Sequence, residues 1–115
     1  MDAKRFYATE DGLCGCEVVD PAKHADWTKG FDASHVLVRE LAAGTVMDWH
    51  PAPRRQMVVH LSGRLEIELR DGTVYSFGPG DSRLMDDLTG SGHLTRVVGA
   101  EPVVQAVIWL EDATI

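Results

Sequence analysis

Residues 44–63 read GTVMDWHPAPRRQMVVHLSG, and the way this stretch is punctuated decides how the chain folds. Thr45 to His50 reads as one short strand, stopped by Pro51 and Pro53, which lack the N–H that a sheet ladder needs. Gln56 to Leu61 reads as the next strand, and Ser62-Gly63 closes it with a tight turn. Short strands separated by turn residues continue in both directions. Downstream, Leu65, Ile67 and Leu69 alternate with Arg64, Glu66, Glu68 and Arg70, a period of two that buries one face. Asp71-Gly72 is a strong hairpin signal, and Thr73 to Phe77 is the returning strand. Gly78-Pro79-Gly80-Asp81 breaks that run, and Ser82 to Met85, Leu94 to Val98 and Val103 to Leu110 follow. Upstream, His35 to Leu41 forms a strand that ends before Ala43-Gly44.

Before residue 35 no period is clean. Asp11-Gly12, Asp20-Pro21 and Lys29-Gly30 mark turns, and Lys23 to Lys29 has room for one helical turn. The chain therefore divides into an irregular N-terminal arm, residues 1–34, packed on the β-domain or on a partner, and a β-domain, residues 35–115. Many short strands with almost no helical period predict an antiparallel sandwich or barrel. Barrels and jelly rolls shield their sheet edges, and they can keep an interior of ligand size.

Composition sets outer bounds. A chain of 115 residues is one domain with a modest core. Apolar residues at 44% and charged residues at 25% give a globular balance. A net charge of −7 with no basic block argues against nucleic acid as a partner and against an anionic membrane surface. The N-terminus has no apolar signal region and no run reaches membrane-spanning length, so the expected location is cytoplasmic. Cys14 and Cys16 are too close in sequence for a structural disulfide, and no second pair completes a zinc site. They read as small residues of the arm.

Strand parity places side chains. Asp48, His50 and Ala52 fall on one side of their strand if it persists to Ala52, with Met47 and Trp49 on the other. Gln56, Val58 and His60 share a side of the next. His93, between Gly92 and Leu94, follows a glycine-flanked loop and can reach the same place. Buried polar side chains of this kind need partners, and clustering on one concave surface would supply them.

The spacing Gly44-(x5)-His50-x-Ala52-(x3)-Gln56-(x6)-Gly63 resembles the first cupin motif, in which a glycine, two histidines one residue apart, a glutamate and a glycine stand at these intervals. Gly80, Gly90 and His93 match the second cupin motif in order and type. Leu88 and Val97 stand where that motif has proline and asparagine, and two extra residues precede Leu88. The resemblance covers about residues 35 to 110. It implies an all-β, single-domain cupin jelly-roll β-barrel with a divalent first-row metal (Fe, Mn, Ni or Zn) between the two motifs. Only His50 and His93 keep the ligand identity it implies. Ala52 offers nothing to a metal, and Gln56 offers a neutral amide oxygen.

A non-haem iron site takes two histidines and a carboxylate. Here His50, Gln56 and His93 are the candidate metal ligands. His60 is a candidate third imidazole or catalytic acid/base, or else a hydrogen-bonded interior residue. Asp48 is a candidate to restore the carboxylate or face substrate, or else it serves a turn or a neighbouring arginine. Arg54 and Arg55 are candidates to clamp an anionic substrate, or else they pair with the protein's own acidic surface. Asp86 and Asp87 read as a solvated loop, with Asp87 alternatively orienting a histidine. Two functions follow. One is a metal-dependent enzyme, such as a dioxygenase or isomerase, acting on a small polar or anionic molecule. The other is a non-catalytic small-molecule binding module that has lost the metal and holds no cofactor. A homodimer is the expected assembly.

Overall fold

From residue 33 onward the strands fall where alternation and turn residues put them. The computed structural model describes residues 1–111; the last four residues assigned to the β-domain, 112–115, lie outside the described residues. Downstream of the N-terminal segment are β3 (Ala33–Leu41), β4 (Val46–His50), β5 (Gln56–Ser62), β6 (Arg64–Glu68), β7 (Val74–Phe77), β8 (Ser82–Asp86), β9 (His93–Val98) and β10 (Val103–Leu110). The β5–β6 turn requires its glycine. Gly63 has φ +79°, and a Cβ there would overlap the backbone carbonyl of Pro102.

The N-terminal segment corrects one expectation. In place of an irregular arm, it forms β1 (Ala3–Ala8) and β2 (Cys14–Val19), an antiparallel hairpin in register from Ala3↔Val19 to Ala8↔Cys14. β1 also pairs with β8 in parallel, and Phe6 reaches the interior with no exposure. Glycine at position 15 and polar residues on both faces hide this hairpin from a hydrophobic period. Its stability comes from the β8 ladder. The helical turn is present as α1 (Ala25–Lys29), with His24 capping its start.

The ten strands form two sheets. One has the order β2-β1-β8-β5-β10-β3, and the other has β4-β9-β6-β7. No ladder joins them among the described residues, so the expected closed barrel is an open jelly-roll sandwich. Inward residues of both sheets meet in one core that includes Phe6, Val58, Leu65, Ile67, Phe77, Met85 and Val107. Each large apolar side chain withdrawn from water contributes about 1.5–3 kcal/mol. The outer face of the six-stranded sheet is covered separately. Met57, Leu84 and Leu110 pack there against Trp27 of α1 and Phe31. Among the described residues no helix is long and apolar enough to cross a membrane.

A candidate ligand cleft between the sheets

The two motif histidines meet across a strand pair. His50 ends β4, His93 begins β9, and the two are direct cross-strand partners. Their ring centroids lie 5.1 Å apart. Pro51 stops β4 just after His50, and Gly92 lets the neighbouring backbone come close. Gly92 has φ +66°, and a Cβ on it would overlap the His50 carbonyl.

Each imidazole is tied at Nδ1. His50 Nδ1 lies 2.6 Å from the backbone carbonyl oxygen of Asp48, an acceptor only, so this nitrogen carries the proton. His93 Nδ1 donates to Asp87 Oδ2 at 2.6 Å, both groups being buried. Both rings are thereby engaged at Nδ1, and neither Nε2 has a hydrogen-bond partner among the described residues. Asp87 is wholly buried, and its backbone carbonyl accepts from Ala52 N at 2.9 Å. Its Oδ1 has no partner, and the Cys14 thiol lies 3.7 Å from its Oδ2. The solvated-loop reading of Asp87 is therefore overturned, and the alternative, a carboxylate orienting a histidine, is the one observed.

His50 and His93 line a narrow cleft with an interior volume of about 20 Å3, together with Gln56, Ala52, Arg39 and Arg83. Gln56 projects from the inward face of β5, as parity requires. Asp48 does not join it. The β4–β9 register shifts between Met47 and His50, which breaks the alternation and puts Met47, not Asp48, on the cleft wall. Asp48 is exposed and its carboxylate accepts from Trp49 N at 2.8 Å.

The two arginines beside the first motif also lie elsewhere. Arg54 is exposed and stacks over the Trp109 ring at 3.9 Å. Arg55 Nε donates to Asp86 Oδ1 at 2.7 Å while Arg5 Nε donates to Asp86 Oδ2 at 2.8 Å. Asp86 is thus an ion-pair residue and not a solvated one, and Arg55 belongs to the outer face. His60 shares the inward side with Gln56 but lies beneath the cleft and does not line it. It stacks on Phe77 at 5.2 Å and accepts from Arg83 Nε at 3.2 Å. Burial, reinforced by the Arg83 charge, pushes its pKa down to about 3. His60 is therefore neutral at pH 7 and accepts a hydrogen bond without acting as an acid.

Two cleft residues went unnoticed in the sequence. Arg83 is 4% exposed, projects inward from β8, and donates Nη1 to the thioether of Met85 at 3.2 Å. Arg39 projects from β3 and donates Nε to Gln105 Oε1 at 2.7 Å. No carboxylate pairs with either among the described residues. The available signal was an arginine inside Ser82–Met85, a run otherwise buried on both faces.

Cys14, Asp87 and His93 place a thiol, a carboxylate and an imidazole nitrogen within 4.8 Å of one another, the donor types that zinc accepts. As the site stands, the oxygen and nitrogen share a proton. Burial and the Asp87 charge push the Cys14 thiol up to about 12, so it stays protonated.

No family model matches this chain, and no curated protein matches it. Solved structures do. A cupin 2 conserved barrel domain protein from Salinispora arenicola is similar with a TM-score of 0.54 and 19% identity, over 68% of this chain and 63% of that one. The DMSP lyase DddQ from Ruegeria pomeroyi aligns with a TM-score of 0.56 and 25% identity, over 73% of this chain and 41% of that one. The polyketide cyclase RemF from Streptomyces resistomycificus aligns with a TM-score of 0.57 and 19% identity, over 74% and 59%. By fold this chain is a small cupin-type domain. These likenesses carry the architecture and not the reaction.

Proposed function

We propose that this cupin-type domain binds a small polar molecule between its sheets, and that it does so without a tightly held metal. The reading rests on the paired imidazoles. His50 and His93 face one cleft, each fixed at Nδ1 by an oxygen, so two free Nε2 atoms and the Gln56 amide converge on the same space.

The donor set is a poor fit to a resident divalent cation. Two imidazoles and one amide offer no negative charge, and Ala52 contributes nothing. Asp87 reaches His93 from behind and does not line the cleft. In the Cys14–Asp87–His93 group a metal would have to displace a proton from the thiol and another from between Asp87 and His93. No chemical step here is assigned to a metal. A second reading, a proton-transfer enzyme, is favoured by the Asp87–His93 pair. A carboxylate on Nδ1 stabilises the imidazolium that forms when Nε2 takes a proton from a bound molecule.

Elemental analysis of the chain purified without chelator, alongside His50→Ala and His93→Ala, tests the proposal. The expected result is low, substoichiometric metal in all three, with a melting temperature unmoved by chelator. Stoichiometric metal in the wild type that disappears in both variants would replace the proposal with a metal centre.

A further inference from the structure

We propose that the molecule taken by this cleft is a small carboxylate, its two oxygens held by the guanidinium groups of Arg83 and Arg39. The proposal rests on the reading of the cleft as a ligand site and supplies the chemical class of its occupant.

Arg83 is buried, yet no carboxylate pairs with it among the described residues. Its two hydrogen bonds go to neutral acceptors, His60 Nε2 and the Met85 thioether, and the second of these is weak. Arg39, the other guanidinium on the cleft, is likewise bonded, among the described residues, only to an amide oxygen. Burial and the nearby Arg39 charge together bring the Arg83 pKa down to about 9. Asp87 is the one acidic group that favours the charged form of Arg83, and its bonded oxygen is already engaged by His93 and Cys14. A buried cation without an anion is costly, and the half-buried Arg39 guanidinium on the same cleft adds repulsion. An anion arriving from solution relieves both terms. It also finds donors already held in place, because Gln105 and His60 fix the two Nε atoms, and the one outer nitrogen of Arg83 that is engaged holds only the weak Met85 thioether.

A carboxylate suits the remainder of the cleft better than a phosphate. Met47, Ala52, Pro53 and Met85 form an apolar part of the lining that fits a carbon skeleton. With an interior volume of about 20 Å3, the cleft takes only the carboxylate end of a small acid, and the rest of the acid extends toward the open mouth. His50 and His93 line the same space, so their Nε2 atoms are available to a polar group elsewhere on that acid.

The test is calorimetry and NMR on the full chain, with acetate, pyruvate, malonate and benzoate as probes. Acetamide and benzamide serve as neutral matches, and inorganic phosphate as the competing anion. Saturable one-to-one binding of a carboxylate is expected, with movement of the His50 and His93 imidazole signals and no response to the neutral matches. Arg83→Met and Arg39→Met should each weaken binding about tenfold or more, while Lys23→Ala leaves it unchanged. Arg83→Lys keeps the charge but loses the planar fork, and provides a second reading if Arg83→Met folds poorly; it too should bind more weakly. Unchanged affinity in the arginine variants, equal binding of the amides, preference for phosphate, or no carboxylate response at the highest soluble concentration would each overturn the carboxylate proposal. Carboxylate binding that leaves both imidazole signals still would overturn the cleft reading as well. A neutral probe that moves those signals when carboxylates do not would overturn the carboxylate proposal alone.

Discussion

At the scale of single residues, the cleft depends on a glycine that carries no chemistry of its own. Gly92 adopts a positive φ and packs against the His50 carbonyl, which brings His93 beside His50. Gly92→Ala adds left-handed strain and a backbone overlap that flexible side chains cannot absorb. We expect it to lower stability by at least about 2 kcal/mol in urea unfolding and to separate the two imidazole signals by NMR. A variant as stable as wild type would show that the β4–β9 join is looser than the structure has it. The residues around the cleft were unequally legible in the sequence. His50, Gln56 and His93 were, because motif spacing carries them. Asp87 was named, but its sequence setting between Asp86 and Leu88 looked like a solvated loop. Its burial follows from the pairing of Ala52 N with its carbonyl, a contact across 35 positions that no local pattern announces. The arginine assignment went to the conspicuous pair, Arg54 and Arg55. The structure spends these on Trp109 and Asp86, and brings Arg39 and Arg83 to the cleft instead.

At the scale of elements, two departures from regular alternation account for most of what the sequence left out. The β4 register shift turns Asp48 outward and Met47 inward. One irregularity in one ladder reverses parity for everything beyond it. The β1–β2 hairpin has mixed faces and a glycine, so it carries no period that could be read. It is regular because β8 offers it a parallel ladder from Ala3↔Ser82 to Tyr7↔Asp86. The joint is held at Phe6, whose ring lies 5.6 Å from Tyr75 edge-on and 6.1 Å from Phe77. Phe6→Ala should cost about 3–5 kcal/mol in denaturant unfolding, a large share of what a domain of this size has. A cost under about 1 kcal/mol would mean that the hairpin is peripheral to the fold.

At the scale of the whole molecule, the buried polar layer makes stability depend on pH. Folding holds the His60 pKa near 3, whereas in the unfolded chain it lies near the ordinary value of about 6.5. Between those values the unfolded chain binds the proton and the folded chain does not. The contribution of His60 is therefore complete above pH 6.5 and shrinks as pH falls toward 3. At pH 5 this single group should cost about 2 kcal/mol relative to pH 7. Urea titrations of wild type and His60→Leu at both pH values check it: the variant should lose that part of the pH dependence, and an identical pH dependence in both proteins would refute the assignment.

The sequence by itself determined, to within a residue or two, where β3 to β10 begin and end, that the fold is all-β, and that His50 and His93 can reach one place. Alternation, turn chemistry and motif spacing are properties of neighbouring residues, and they survive without knowledge of distant contacts. Tertiary structure alone decided that the sheets stay open, that the N-terminal segment completes one of them, and that Arg83 and Arg39 line the cleft with the histidines and pair with no carboxylate among the described residues. Those outcomes are sums over side chains far apart in the chain. Whether a buried charge is compensated depends on every group that folding brings within a few ångströms of it, and no window of sequence contains that sum.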